Sequence, residues 1–138
     1  MKKILILCTG NSCRSQMAEG YFRKFAGNNA KIVSAGIEAH GLNKNAVKVM
    51  NEDEVDISTH TSKTIDDLEE SKFDFVITVC DNARESCPVF PSEVKTIHQN
   101  FEDPAAFKGD EKNVLQKFRE VRDQIKSFAL KFVHLNLH

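Results

Sequence analysis

The first residues that could do chemistry are Cys8 and Arg14, which are separated by the five residues Thr9 to Cys13. A loop of this length can curl so that successive backbone N–H groups point into one concave site, which suits a tetrahedral oxyanion. Arg14 can hold two of the oxygens, and the helix that starts near Cys13 adds partial positive charge at its N-terminus. Because the same field favours a thiolate, the sequence predicts that Cys8 is a nucleophile beside an oxyanion site.

The other residues of this loop have types that fit anion binding. Gly10 and Asn11 readily adopt the positive φ that a tight loop needs, and Ser15 can donate a hydrogen bond to the Cys8 thiolate. Cys13 is expected to be a packed thiol rather than a second nucleophile. A Gly-Asn turn between two buried thiols is the alternative, but the position at a strand end favours the anion site. The candidate oxyanion-binding residues are Thr9, Gly10, Asn11, Ser12, Cys13, Arg14 and Ser15.

A second pair of cysteines, Cys80 and Cys87, encloses six mostly polar residues. If this segment is a continuous helix, the two cysteines lie about 10 Å apart along its axis. A disulfide needs Cα atoms within about 7 Å, so pairing requires the segment to unwind or loop out. A segment this short and polar can do so, and we interpret the pair as redox-active thiols, with inert thiols as the alternative.

An acidic residue and the absence of metal-ligand spacing complete the candidate site. Asp103 precedes Pro104, which biases it away from helix and holds its carboxylate in a loop. Such a pair is usually only a turn, but a carboxyl facing an oxyanion site can act as a general acid. The four cysteines lack the Cys-x2-Cys pairs of structural zinc sites, and the five histidines show no metal-ligand spacing. We therefore predict no metal site.

Alternating strand and helix patterns must position these residues. The pattern predicts an α/β fold with a four-stranded, mainly parallel sheet flanked by helices. Cys8 and Cys80 each end a predicted strand, and ligands bind beyond the carboxyl ends of parallel strands. The predicted strands are Lys2 to Cys8, Lys31 to Gly36, Phe73 to Cys80 and Val94 to Gln99. The predicted helices run from near Cys13 to Ala26, from Leu42 to Glu52, from Thr64 to Lys72 and from Glu111 to about Leu135.

The bulk composition favours one ordinary globular domain over residues 1–138. The chain is 41% hydrophobic and 28% charged, and its net charge of -1 gives no reason to expect a nucleic-acid partner. The apolar run after Met1 is too short for a secretory signal, and no stretch is long enough to cross a membrane. We therefore expect a cytoplasmic monomer, in which four cysteines indicate metal or redox chemistry rather than permanent disulfides.

These residues resemble the thioredoxin-coupled arsenate reductases, which share the fold of the low-molecular-weight protein tyrosine phosphatases (phosphotyrosine protein phosphatase I-like). The resemblance covers nearly the whole chain. It begins with "CTGNSCRS" and "QMAEG" and continues in "SAGIEAHG", "DISTHTS", "CDNARESCP" and "FEDPA", and it ends with "FREVRDQIK". The Asp103-Pro104 pair matches the general acid of this family.

The resemblance implies a three-cysteine relay that reduces arsenate to arsenite for arsenic detoxification. In it, Cys8 attacks arsenic, Asp103 protonates the departing oxygen, and a Cys8–Cys80 disulfide forms as arsenite leaves. Cys87 then produces a Cys80–Cys87 disulfide, which thioredoxin reduces as the electron donor. No bound cofactor is implied. The alternative is a tyrosine phosphatase that uses Cys8, Arg14 and Asp103, although Ala105 stands where the phosphatases usually have an aromatic residue.

One departure from the family concerns a potassium site that some members have beside the loop. Asn11, Glu19 and Ser34 match three of its ligands, but Lys63 occupies the place of the fourth, an aspartate. An ammonium group there would repel potassium. The hypothesis that follows is that the Lys63 amine itself neutralises Glu19 and supports the loop.

Overall fold

The computed structural model describes residues 1–69 and 72–137 and contains one four-stranded sheet. The strand order is β2-β1-β3-β4, and each neighbouring pair is parallel, as the alternating pattern predicted. The strands are β1 Lys2–Cys8, β2 Ala30–Gly36, β3 Phe75–Thr78 and β4 Lys95–His98. The two central strands are apolar because both are covered, and β3 is buried along its whole length.

Within the described ranges, four α-helices connect and cover these strands. They are α1 Arg14–Ala26, α2 Lys44–Glu52, α3 Asp81–Glu85 and α4 Glu111–Asn136. Short 3-10 turns lie at Gly27–Asn29, Ile65–Asp67 and Pro104–Ala106. Capping side chains fix the starts of two helices, since Asn43 accepts from the first turn of α2 and Asp110 from that of α4. The element boundaries therefore lie close to those predicted for most of the chain.

The predicted helix from Thr64 to Lys72 is wrong. The structure has a single 3-10 turn there, and residues 70 and 71 lie outside the described part of the chain. The Asp67 carboxylate accepts hydrogen bonds from both the backbone and the hydroxyl of Thr64, which closes the turn on itself. Leu68 then adopts an extended conformation with ψ of 130°. The polar, acidic run could not continue as helix because its side chains satisfy the turn locally.

The long helix α4 packs against α1 and supplies much of the apolar core. Its buried residues recur at helical spacing, and Phe132 contacts both Phe22 of α1 and Phe75 of β3 at ring-centroid distances of 5.4 and 5.2 Å. The long amphipathic helix predicted from the sequence is thus confirmed. No helix within the described residues is both long enough and apolar enough to cross a membrane.

Sheet register brings the ends of β1, β2 and β3 together at one edge. Cys8 at the end of β1 pairs with Gly36 at the end of β2, and Leu7 of β1 pairs with Thr78 at the end of β3. Strand β3 therefore ends two residues before Cys80. The strand was predicted to run through Cys80, but it stops at Thr78 because α3 begins at Asp81. The two cysteines therefore lie at the same edge of the sheet, on the loops that follow two adjacent strands.

Candidate active site

The loop between β1 and α1, residues 9–13, is held from outside through its carbonyl groups. Backbone N–H groups of residues 37–43 donate to the carbonyl oxygens of Cys8, Thr9, Gly10 and Ser12 at 2.9 to 3.2 Å. Because the carbonyls are bound on that side, the loop's N–H groups remain available to an anion on the other. The loop that the Cys-x5-Arg spacing singled out can therefore present its N–H groups to an oxyanion.

Asn11 and Gly10 have different reasons for their positions in this loop. Asn11 has a positive φ of 46°, as predicted for a tight loop. Gly10 has no positive φ, so the prediction made for it is wrong. A Cβ at Gly10 would instead overlap the imidazole of His40, which packs directly on the loop. The feature that favours glycine there is the close approach of a side chain and not the backbone conformation.

The Cys8 thiol is buried and lies within hydrogen-bonding distance of a hydroxyl on the adjacent helix. Its Sγ lies 3.0 Å from Ser15 Oγ, and Asn11 Nδ2 donates to the same hydroxyl oxygen at 2.9 Å. Since Ser15 accepts from Asn11, its own hydrogen is free to point at the sulfur. Ser15 can therefore stabilise a Cys8 thiolate, as the sequence predicted, at the N-terminus of α1.

Arg14 and Asp103 face each other across the mouth of the loop. Arg14 Nη1 donates to the Phe101 carbonyl at 3.0 Å, and its Nη2 lies 3.7 Å from Asp103 Oδ2. Arg14 Nε is buried and has no hydrogen-bond partner within the described residues. A buried guanidinium donor is costly unless something accepts from it, and an oxyanion in the loop would do so.

A cavity of about 230 Å³ lies above the loop and joins these groups. Its walls are loop residues and Cys8, together with Arg14, His40, Asp103 and Ala105. Pockets for drug-sized ligands occupy roughly 300–1,000 Å³, so this one suits a small ion. The sequence treated His40 as a surface or packing residue, and its only signal was its place in the "SAGIEAHG" motif. The structure puts it in the cavity wall, with Nε2 2.6 Å from Glu38 Oε2.

Cys80 is buried directly beside the oxyanion loop. Its Sγ lies 3.3 Å from Thr9 Oγ1 and accepts from the backbone N–H of Ala83 at 3.4 Å, as the N-cap of α3. Asn82 Nδ2 donates to the same Thr9 hydroxyl at 3.2 Å, which leaves the Thr9 hydrogen free to point at the sulfur. Cys80 Sγ therefore lies within hydrogen-bonding distance of both the Ala83 N–H and the Thr9 hydroxyl.

Cys87 lies beyond the end of α3 and is only half-buried. The four cysteines are unpaired, so neither predicted disulfide is present. Burial raises the pKa of the Cys87 thiol above its ordinary value of 9.0. The helix ends at Glu85 and so covers only part of the segment between the two cysteines.

Cys13 is buried, and its environment keeps it protonated. Desolvation by burial, together with the negative charge of Asp103, raises the pKa of this thiol from 9.0 to about 12. Its Sγ donates to Asp103 Oδ1 at 3.6 Å. A protonated thiol is neither a nucleophile nor a metal ligand at neutral pH, which agrees with the packed thiol expected at this position.

A buried polar network supports the loop from below. Asn11 Nδ2 donates to Ser34 Oγ at 2.9 Å, and Ser34 donates to Glu19 Oε1 at 2.6 Å. Gln16 Nε2 donates to Asn11 Oδ1 at 3.0 Å and to the carbonyl of Thr61 at 3.1 Å. These bonds fix Asn11 in its positive-φ conformation and so set the shape of the oxyanion loop.

The charge of Glu19 is balanced by Arg23, with the His60 ring beside it, and the hypothesis that Lys63 neutralises it is wrong. Arg23 Nε lies 3.0 Å and His60 Nδ1 3.4 Å from Glu19 Oε2. The Lys63 amine donates instead to the carbonyl of Thr61 at 3.2 Å. What Lys63 contributes to the network is its backbone N–H, which donates to Asn11 Oδ1 at 2.9 Å. Lys63 is half-buried, and its amine points to Thr61, whereas Arg23 reaches Glu19 from the next turn of α1.

The described residues contain no group of three or more histidine, cysteine or acidic side chains that could hold a metal ion. The site that they do form consists of a buried thiol in an anion-binding loop, an arginine, an aspartate and a second buried thiol. Residues 3–136 match the family model for the low molecular weight phosphotyrosine protein phosphatases. The chain belongs to this family.

Relatives match this phosphatase-family chain over most of its length and of their own. The arsenate reductase of Oceanobacillus iheyensis is 52% identical over 124 residues, covering 90% of this chain and 89% of that protein. The arsenate reductase of Bacillus subtilis (strain 168) is 51% identical over 124 residues, with the same coverage. A solved structure described as an arsenate reductase in the phosphate binding state superposes with a TM-score of 0.78, at 31% identity and 98% coverage of both chains. The resemblance and fold predicted from the motifs are confirmed.

Proposed function

We propose that this protein reduces arsenate to arsenite through Cys8, Cys80 and Cys87, and that thioredoxin restores the thiols. The observation that carries the proposal is the position of Cys80, whose Sγ contacts the Thr9 hydroxyl beside Cys8. A phosphate ester can be hydrolysed by one thiol and water, whereas reduction of arsenic(V) requires two electrons. A second buried thiol against the oxyanion loop supplies them.

In the first step, arsenate occupies the cavity above residues 9–14 and the Cys8 thiolate attacks arsenic. Ser15 stabilises the thiolate before attack, and Arg14 together with the loop N–H groups holds the oxygens. Asp103 delivers a proton to the departing oxygen, which leaves as water. The product of this step is a covalent bond between the Cys8 sulfur and arsenic.

In the second step, the Cys80 thiolate attacks the Cys8 sulfur. A sulfur–sulfur bond forms, the sulfur–arsenic bond breaks, and its electron pair stays on arsenic, which departs as arsenite. Arsenate and two thiols thereby give arsenite, one disulfide and water. The N–H of Ala83 donates to the Cys80 sulfur and the Thr9 hydroxyl can do so, and together they orient Cys80 for this attack.

In the third step, Cys87 attacks Cys80 and frees the Cys8 thiol. The segment between the two cysteines loops out, and the resulting Cys80–Cys87 disulfide is exchanged with the thiols of thioredoxin. No organic cofactor or metal takes part in this cycle. We expect the protein to act as a monomer in the cytoplasm, where thioredoxin is kept reduced.

The rival function is hydrolysis of a phosphotyrosine by Cys8, Arg14 and Asp103. The small cavity and Ala105 in its wall give an aromatic ring little to pack against. Weak hydrolysis of an aryl phosphate is compatible with either function, because the loop binds phosphate and arsenate through the same donors. Hydrolysis alone therefore does not discriminate between the two functions.

The deciding experiment follows NADPH consumption with arsenate, thioredoxin and thioredoxin reductase. We expect sustained consumption by the unmodified protein and none beyond the first turnover in Cys80→Ser or Cys87→Ser. Ser92 is an exposed residue of the loop that contains Cys87. Ser92→Ala is therefore the matched control and should behave as the unmodified protein does. Sustained turnover in Cys87→Ser would contradict the relay, and aryl phosphate hydrolysis with no arsenate-dependent consumption by the unmodified protein would establish the phosphatase.

A further inference from the structure

A chain of three polar side chains ties the start of α3 to the ends of two strands. Thr78 Oγ1, at the end of β3, lies 2.7 Å from Nδ1 of His98, the last residue of β4. His98 Nε2 in turn lies 2.8 Å from Oδ1 of Asp81, the first residue of α3. Both ring nitrogens of His98 are therefore engaged, one by a buried hydroxyl and one by a carboxylate.

Hydrogen bonds with residues that follow β4 also hold the backbone on both sides of Cys80. On one side, the Thr78 carbonyl accepts from the backbone N–H of Gln99 at 2.9 Å. On the other, the backbone N–H of Asp81 donates to Asn100 Oδ1 at 3.1 Å. Cys80 is thus fixed between the sheet and the loop that follows β4, with its sulfur directed at Thr9.

The Cys87 end of the segment is held far less. The backbone N–H of Cys87 donates to the Arg84 carbonyl at a long 3.4 Å. Residues 88–93 are mostly exposed, and Val89 is 100% exposed. Few buried contacts and a long hydrogen bond are what a segment that opens locally shows. The two ends of the Cys80–Cys87 segment therefore differ in how strongly they are anchored.

We propose that His98 is a positioning residue that holds Asp81, and through it Cys80, against the oxyanion loop while the Cys87 end of the segment moves. The inference rests on the proposed function, since it concerns the attack of Cys80 on the Cys8 sulfur. His98 touches neither the oxyanion nor a reacting sulfur. It acts by keeping the Cys80 nucleophile aligned, so that Cys87 travels to Cys80 and not the reverse.

The test isolates the step that His98 is proposed to serve. In a Cys87→Ser background the reaction stops at the Cys8–Cys80 disulfide, so one arsenite is released per enzyme and its rate reports the Cys80 attack. Adding His98→Ala should slow this release by about fivefold, as expected for one lost hydrogen-bonded contact. His134→Ala, which removes an exposed histidine of α4, is the control and should leave the rate unchanged.

Two further readouts separate alignment from a general loss of structure. Hydrolysis of p-nitrophenyl phosphate does not use Cys80, so its kcat and KM should stay within about twofold in His98→Ala. Asp81→Ala removes only an exposed carboxylate and should slow arsenite release as His98→Ala does, whereas Asp81→Asn, which can still accept from His98 Nε2, should restore most of the rate. The two alanine changes combined should slow release no more than either one alone.

The outcomes distinguish this inference from the proposed function. If Cys87→Ser alone releases no arsenite, the proposed relay fails. If Cys87→Ser releases arsenite and both alanine variants release it at the same rate or faster, the relay stands and the role of His98 is overturned. Equal losses of arsenite release and p-nitrophenyl phosphate hydrolysis would also overturn it, because they would indicate a merely structural role.

Discussion

Thr9 Oγ1 lies 3.3 Å from Cys80 Sγ, and this contact joins the oxyanion loop to a segment 71 residues further along the chain. Asn82 Nδ2 donates to the same hydroxyl at 3.2 Å, which leaves the Thr9 hydrogen free to point at the sulfur. The contact places the second thiol of the proposed relay against the loop that begins directly after the first.

Replacing the Thr9 hydroxyl should therefore slow the step in which Cys80 attacks. Thr9→Val keeps the shape of the side chain but cannot donate, and single-turnover arsenite release in a Cys87→Ser background should fall by about tenfold, as for a lost hydrogen bond to a charged group. Thr9→Ser retains the hydroxyl and should recover most of the rate. Equal rates in the two variants would show that the hydroxyl does not assist Cys80.

Cys13 should resist alkylation in the folded protein. Burial and the neighbouring Asp103 raise its pKa to about 12, so almost none of it is thiolate at neutral pH, and only the thiolate reacts. Iodoacetamide treatment followed by peptide mass spectrometry should find Cys13 unmodified after the half-buried Cys87 has reacted. The same treatment in denaturant should label Cys13, and rapid labelling without denaturant would contradict the prediction.

Stability should depend on pH through His60. Burial lowers the pKa of His60 below its ordinary 6.5, and the positive charges of Arg23 and Lys63 lower it further. The negative charge of Glu19 acts in the opposite direction. The folded state thus binds this proton less readily than the unfolded chain does. The stability that neutral His60 permits is fully present above pH 6.5 and is lost as the pH falls from there through the lower, folded-state pKa.

Urea unfolding across this range measures the effect. The free energy of unfolding should rise between about pH 5 and 7, and His60→Gln, which can still hydrogen-bond Glu19, should flatten that rise. The difference between the two proteins isolates His60 from the carboxylates that titrate at lower pH. Parallel pH profiles for the two proteins would show that His60 is not responsible.

Two glycines beside the oxyanion loop should respond differently to alanine. At Gly36 a Cβ would lie 2.7 Å from the carbonyl oxygen of Thr9 and 2.8 Å from the backbone nitrogen of Asn11, and neither backbone atom can move without distorting the loop. At Gly10 the Cβ would meet only the half-exposed His40 ring, which can swing outward.

Gly36→Ala should therefore lower the free energy of unfolding by about 1–3 kcal/mol and reduce arsenate turnover. Gly10→Ala should cost clearly less stability. Urea titration of both variants beside the unmodified protein gives the comparison. A larger loss for Gly10→Ala than for Gly36→Ala would mean that His40 is held more firmly than its exposure indicates.

Most of the fold could be predicted because each element has a strong local pattern. The apolar runs of β1 and β3 and the repeating apolar positions of α4 specify their conformations within a few residues of sequence. The prediction failed between Thr64 and Lys72, where the run is polar. There the competition between a helix and a turn was decided by one aspartate that closes back on Thr64.

The sequence by itself determined the candidate site residues and the family, because Cys8, Arg14 and the loop between them are neighbours along the chain. Only the tertiary structure decided the long-range contacts. In the structure, Cys80 contacts Thr9, and the His40 ring packs on Gly10. Glu19 lies beside Arg23 and His60 and not beside the Lys63 amine. Such contacts depend on the register of β1, β2 and β3 and on the direction of each side chain. No local pattern encodes either of these, since partners such as Thr9 and Cys80 lie 71 residues apart.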